Sequence, residues 1–130
     1  MVMPLRKLSA GFTLMELIVV MAIIASLMTL ALPRYFHSVE RSREAVLKQD
    51  LHIMRDAIDK FFADRGRYPL TLEELSEKRY LRRVPSDPIT ESATSWVIVP
   101  PPESATREGV YDVHSGASGK SLDGEAYETW

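Results

Sequence analysis

The chain has 130 residues, with 16 Lys plus Arg against 18 Asp plus Glu for a formal net charge of -2, and it has no cysteine. That balance argues against a nucleic-acid partner, and the missing cysteines exclude disulfides and thiolate chemistry. Once one apolar segment near the N-terminus is set aside, the remaining length suits a single small soluble head rather than two domains.

From Phe12 to Leu32 the residues are apolar except for a few small hydroxyl side chains and one ionisable group, Glu16. A helix rising about 1.5 Å per residue over this run matches the roughly 30 Å hydrocarbon core of a bilayer, so residues 12–32 are predicted to span a membrane. Arg6 and Lys7 precede the run and should hold the N-terminus in the cytoplasm. Everything after Leu32 then lies on the far side, the periplasm in a double-membrane bacterium. An acid at the middle of a membrane helix costs about 2.5 to 3.5 kcal/mol, which marks Glu16 as a functional residue in need of a partner.

The stretch Arg6-Lys7-Leu8-Ser9-Ala10-Gly11-Phe12-Thr13-Leu14-Met15-Glu16, with the apolar helix behind it, resembles the leader and processing site of the type IV prepilin and pseudopilin superfamily. The resemblance implies that residues 1–11 are a leader. Prepilin peptidase would cut between Gly11 and Phe12 and methylate the new amine of Phe12. Losing Arg6 and Lys7 would take the net charge from -2 to -4. Opposite charges about 4 Å apart attract by roughly 4 kcal/mol at an effective dielectric of 20, which is comparable to the cost of inserting the acid. Residues four apart share a helix face, so Glu16 could reach its own amine. What the resemblance adds is that Glu16 would neutralise the amine of an adjoining subunit as a filament grows. A secretory signal peptide shares the basic start, but this apolar run is longer than a signal core and lacks a small-x-small cleavage context.

Pro33 stands where the helix would leave the bilayer, and it is expected to kink or restart it. Residues 33–65 read as an amphipathic continuation. Leu47, Leu51, Met54, Ile58 and Phe61 form one apolar stripe, while Arg41, Glu44, Lys48, His52, Arg55 and Asp59 form a polar one. Glu44 with Lys48 and Asp56 with Lys60 are expected ion pairs four residues apart. The helix should stop near Arg65, since Gly66 and Pro69 follow. Thr71 and Glu74 then make a capping box, with Leu70 and Leu75 as its staple, and open a short helix reaching about Tyr80.

Gly66-Arg67-Tyr68-Pro69 and Tyr80-Leu81-Arg82-Arg83-Val84-Pro85-Ser86-Asp87-Pro88 look like the corresponding stretches of G-type pseudopilins, the major pseudopilins of type II secretion. In those proteins a Gly-x-Tyr-Pro turn, a short helix and a Pro-x-Asp-Pro turn lead into a small sheet. Trp96 to Val99 and Val110 to His114 read as an antiparallel pair, with a third strand near Tyr127 to Trp130. The expected fold is therefore α+β and pilin-like: a long transmembrane-plus-amphipathic helix packed on a small antiparallel sheet, with residues 66–130 as the head. Glu91-Ser92-Ala93-Thr94 recurs at 103–106 and is read as loop composition. Gly116 to Ser121 ends in Gly-Lys-Ser, but His114 occupies the first glycine position of a phosphate-binding loop and no helix follows.

G-type pseudopilins commonly bind calcium in the C-terminal loop through acidic side chains, a serine and carbonyls, so the resemblance makes calcium a possible ligand here. Asp123, Glu125 and several serines are present, yet Ser118 stands where an acidic ligand is expected and the closely spaced aspartates before the last Trp are not evident, so no ligand is assigned. Asp112 and His114 are two donors without a third, and His37, His52 and His114 are scattered with no nucleophile motif, so no enzyme is indicated. The reading is a structural subunit of a periplasmic pseudopilus fibre that drives export. Its implied partners are copies of itself, prepilin peptidase, other pseudopilins, the inner-membrane assembly platform and, before assembly, membrane lipid. A minor pilin, or a competence or type IV pilus subunit, is the alternative within this class. A membrane-tethered periplasmic binding module is the alternative outside it, but a mere tether gains nothing from Glu16.

Overall fold

The computed structural model describes residues 2–4, 10–102 and 108–130. Arg6 and Lys7, which carry the orientation argument, and the second tetrapeptide at 103–106 lie outside the described residues. The elements are α1 (Leu14–Arg65), α2 (Leu72–Glu77), β1 (Val97–Val99), β2 (Asp112–His114) and a 3-10 turn at Tyr127–Thr129. Two compact units divide the chain, residues 1–37 and 38–130, and α1 contributes to both.

In the first unit every described residue of α1 is exposed, and α1 is the one helix among the described residues long and apolar enough to cross a membrane. Ser26 and Thr29 turn their hydroxyls back onto the Ala22 and Ala25 carbonyls at 2.8 Å, so neither presents an unmet donor along an apolar surface. Pro33 lies inside α1, where its ring leaves the Thr29 carbonyl without a helical donor.

The second unit is built on the predicted stripe. Leu47, Leu51, Met54, Ile58 and Phe61 are each at most 2% exposed, joined in the core by Leu72, Leu75, Leu81, Trp96, Val110 and Val113. Full burial of each such side chain is worth about 1.5 to 3 kcal/mol, so this stripe dominates the stability of the head. Among the described residues the sheet is one antiparallel pair with Ile98 opposite Val113. Val113 is fully buried, whereas Val97 and Ile98 keep about half of their surface exposed. Asp87 sits at 0% exposure, where its carboxylate accepts from the Ile89 and Thr90 N–H groups and from the Ser115 hydroxyl at 2.5 Å. The Pro-Ser-Asp-Pro turn is thereby tied to the loop after β2. Gly116 follows there because a Cβ would stand 1.9 Å from the Ser95 carbonyl oxygen.

The helix ends are mostly as predicted. Gly66 takes φ 69° just past Arg65 and donates to the Phe62 carbonyl. Thr71 caps α2 by accepting from the Glu74 N–H. Glu74 reaches back to the Leu70 N–H at 2.7 Å and to Arg67 at 2.6 Å. The Arg67 guanidinium first, and the Leu70 N–H next, hold the Glu74 carboxyl below its ordinary range. Leu70 remains 61% exposed, so the expected staple does not bury it. The short helix stops at Glu77, three residues before Tyr80. Tyr80 N–H donates to the Leu75 carbonyl and Arg79 N–H to the Ser76 carbonyl, closing a Schellman turn with Arg79 at φ 65°.

Two further expectations need correction. Tyr127 to Trp130 is a 3-10 turn rather than a strand, because Thr129 and Trp130 donate to carbonyls only three residues back. Glu44 does not pair with Lys48. It is 7% exposed, and its Oε1 accepts from the Leu122 N–H at 2.8 Å and the Tyr127 hydroxyl at 3.0 Å. Lys48 instead places its ammonium 4.4 Å from the centre of the Trp130 ring, and Arg55 bonds Asp112, the Val113 carbonyl and the Trp130 main-chain oxygen. The polar stripe is thus partly an internal seam, since the C-terminal segment packs against it. The other expected pair forms, Lys60 with Asp56 at 2.7 Å.

Replacing Arg79 by Gly is expected to raise stability by about 0.5 to 1 kcal/mol, read as a higher melting temperature, because glycine carries no Cβ penalty at positive φ. Burial first, and the Glu44 carboxylate next, push the Tyr127 phenol up to about 12. The unfolded phenol ionises near 10, so this contribution is intact below about pH 10 and declines as pH rises toward 12. The stability difference between wild type and Tyr127→Phe, followed by denaturant titration, should shrink across that window.

Candidate assembly and processing site

The residues singled out near the N-terminus are Gly11, Phe12 and Glu16. Ala10 to Thr13 are outside any regular element and exposed, and a Cβ built on Gly11 meets nothing within 4 Å. The Gly11–Phe12 bond therefore lies in exposed chain without regular structure just before α1, where a peptidase can reach it.

Thr13 turns the chain into the helix. The Glu16 N–H donates to Thr13 Oγ1 at 3.1 Å, and the Thr13 N–H donates to Glu16 Oε2 at 3.3 Å. These reciprocal bonds are a capping box, and they satisfy two of the donors that a helix start leaves without partners. The Thr-x-x-Glu spacing is the same as at Thr71 and Glu74, so the signal for this box is present in the sequence at Thr13 and Glu16. Caps of this kind are worth about 0.5 to 2 kcal/mol. Glu16 Oε1 makes no hydrogen bond among the described residues. The carboxylate is thus oriented by its own helix while keeping one oxygen for a further donor, and it also sits at the positive end of the helix dipole. Pro33 lies in the same helix, well C-terminal to this cluster.

The C-terminal loop is the other site the sequence raised. Calcium takes six to eight oxygens at about 2.3 to 2.6 Å. Several loop oxygens are engaged otherwise: Ser121 Oγ accepts from the Glu125 N–H, the Ser121 and Glu125 carbonyls accept from Gly124 and Ser121, and Glu125 Oε2 accepts from the Trp130 indole, which leaves the Asp123 carboxylate and Glu125 Oε1 as the loop's acidic oxygens without a partner among the described residues. Among the described residues no three His, Cys, Asp or Glu side chains are grouped to hold a metal. Two acidic side chains that are not grouped fall short of the six to eight oxygens the ion takes, so this donor set does not fit it. Asp112 meets Arg55 and His114 meets the Trp130 main-chain oxygen, so that pair also serves the fold.

A family model described as the prokaryotic N-terminal methylation motif matches residues 6–32. Over 121 residues the chain is 31% identical to the type II secretion system core protein G of Escherichia coli, covering 81% of this chain and 79% of that protein. The core protein G of Pseudomonas aeruginosa is 30% identical over 99 residues, 64% of this chain and 70% of its own length. A type IV major pilin, PilA of Myxococcus xanthus, is 38% identical over 58 residues, but these cover only 45% of this chain and 26% of that protein. No solved structure matches the chain significantly. Both the N-terminal motif and the head agree with one set of relatives, and the chain belongs to the type II secretion core protein G family, the G-type pseudopilins.

Proposed function

We propose that this pseudopilin is a structural, non-enzymatic subunit of a fibre that drives protein export, processed at Gly11–Phe12 and assembled through Glu16. The observation that carries the reading is the Thr13–Glu16 capping box at the head of an exposed apolar helix, which pre-orients one carboxylate where a new amine would appear. Cleavage after Gly11 leaves both members of the box in the chain. The methylated amine of Phe12 then lies one residue before the cap. In the membrane, Glu16 offsets its own amine and the helix dipole. In the fibre, the same carboxylate meets the amine of an adjoining copy and helps set the register between helices as lipid is exchanged for protein.

On this reading residues 1–11 are the leader, 12–32 the membrane helix, 33–65 its amphipathic continuation with Pro33 as a kink, and 66–130 the head. The N-terminus is cytoplasmic and the head periplasmic, as Arg6 and Lys7 favour. The partners are prepilin peptidase, other copies, other pseudopilins and the inner-membrane platform. The weak, partial match to a major pilin is confined to less than half of the chain, so a secretion fibre is preferred over a pilus.

Glu16→Ala is expected to insert and be cleaved normally while losing fibres in a shearing and electron-microscopy assay. Normal fibres from that variant would remove the charge-pairing account. Thr13→Ser should retain assembly and Thr13→Val should impair it, since only the former keeps the capping oxygen. Gly11→Ala should accumulate the uncut chain, and intact-mass measurement of the wild type must show a start at Phe12 carrying one added methyl group.

A further inference from the structure

One flank of α1 grips the C-terminal segment at several points. At 100° per residue Glu44, Lys48 and Arg55 fall within roughly 40° of one another around the helix. Glu44 holds the turn after β2 through Leu122 and Tyr127, while Lys48 and Arg55 hold its far end at Trp130. The turn is also closed upon itself. Ser121 N–H donates to the Glu125 carbonyl at 2.7 Å, Gly124 at φ 89° donates to the Ser121 carbonyl, and Lys120 bridges Ala126.

The polarity of this contact is opposite to that of a cation site. At the point where α1 reaches the loop, the loop offers an N–H and an O–H, and the helix supplies the negative charge. A cation placed there would face two donors, and the Ser121 and Glu125 carbonyls beside them already accept hydrogen bonds within the turn. Glu44 is buried, and its charge is matched by hydrogen bonds across 78 and 83 residues of sequence. We propose that in this chain the Glu44 carboxylate fastens the C-terminal loop to α1, in the role that a calcium ion has in G-type pseudopilins that bind one. The loop is then ordered without metal, and its order is independent of calcium concentration. This inference rests on membership of the family and on the head alone, so it stands or falls separately from the assembly role of Glu16.

The test uses the processed full chain in detergent micelles, melted in about 1 mM calcium chloride and again in excess EGTA. The two wild-type melting temperatures should agree within about 1 °C. The Leu122 amide should show equal protection from hydrogen exchange in both. Glu44→Ala should lower the melting temperature by about 4 to 8 °C equally in both solutions and release the Leu122 amide. Tyr127→Phe, which keeps the ring, should fold and show a smaller calcium-independent drop. A wild-type melting temperature several degrees higher in calcium than in EGTA would overturn the proposal. So would unchanged Leu122 protection in a folded Glu44→Ala protein. If Glu44→Ala does not fold, the wild-type comparison and Tyr127→Phe still decide between the outcomes.

Discussion

The head depends on the burial of one helical stripe, Leu47 to Phe61, because nothing else in it could stand alone. A two-stranded ribbon of three-residue strands is at best marginal in water, and α2 is under two turns long. Val113, Trp96 and Leu75 acquire a common core only by closing over that stripe. The turns between them are then held by single buried polar residues, Asp87 above all, whose acceptors are matched to specific donors.

On the proposed function, the same helix carries the assembly site toward its N-terminus. In a run that is otherwise uncharged, an acid must be oriented or offset, and the Thr13–Glu16 box orients it by means available within a single chain. The capping geometry and the assembly role are compatible because a carboxylate has two oxygens. One is directed to Thr13, and the other, which makes no hydrogen bond among the described residues, is the one the proposed assembly contact would use.

Much of this was legible in the residues. The apolar run, the stripe, the stop at Gly66 and the cap at Thr71 are local signals that depend on spacing and on the preferences of single residues. Local signals were overridden where groups distant in sequence pack together. Four-residue spacing favoured a Glu44–Lys48 pair, yet a surface ion pair is worth only a few tenths of a kcal/mol, less than a buried carboxylate gains from two well-placed donors. Tyr127 to Trp130 has strand-like composition, yet Thr129 and Trp130 close their backbone bonds three residues back, and the segment meets β2 through the His114 side chain rather than through a ladder. The Schellman turn at Arg79 carried no glycine to announce it.

By itself, then, the sequence determined the long helix, its membrane-length apolar run, the N-terminal methylation motif and the core-facing stripe, because these follow from periodicity and from groups within a few residues of one another. Only the tertiary structure decided which polar residues of α1 face solvent and which hold the C-terminal loop. Glu44 and Leu122 are 78 residues apart, and whether a carboxylate is solvated or buried depends on what packs over it.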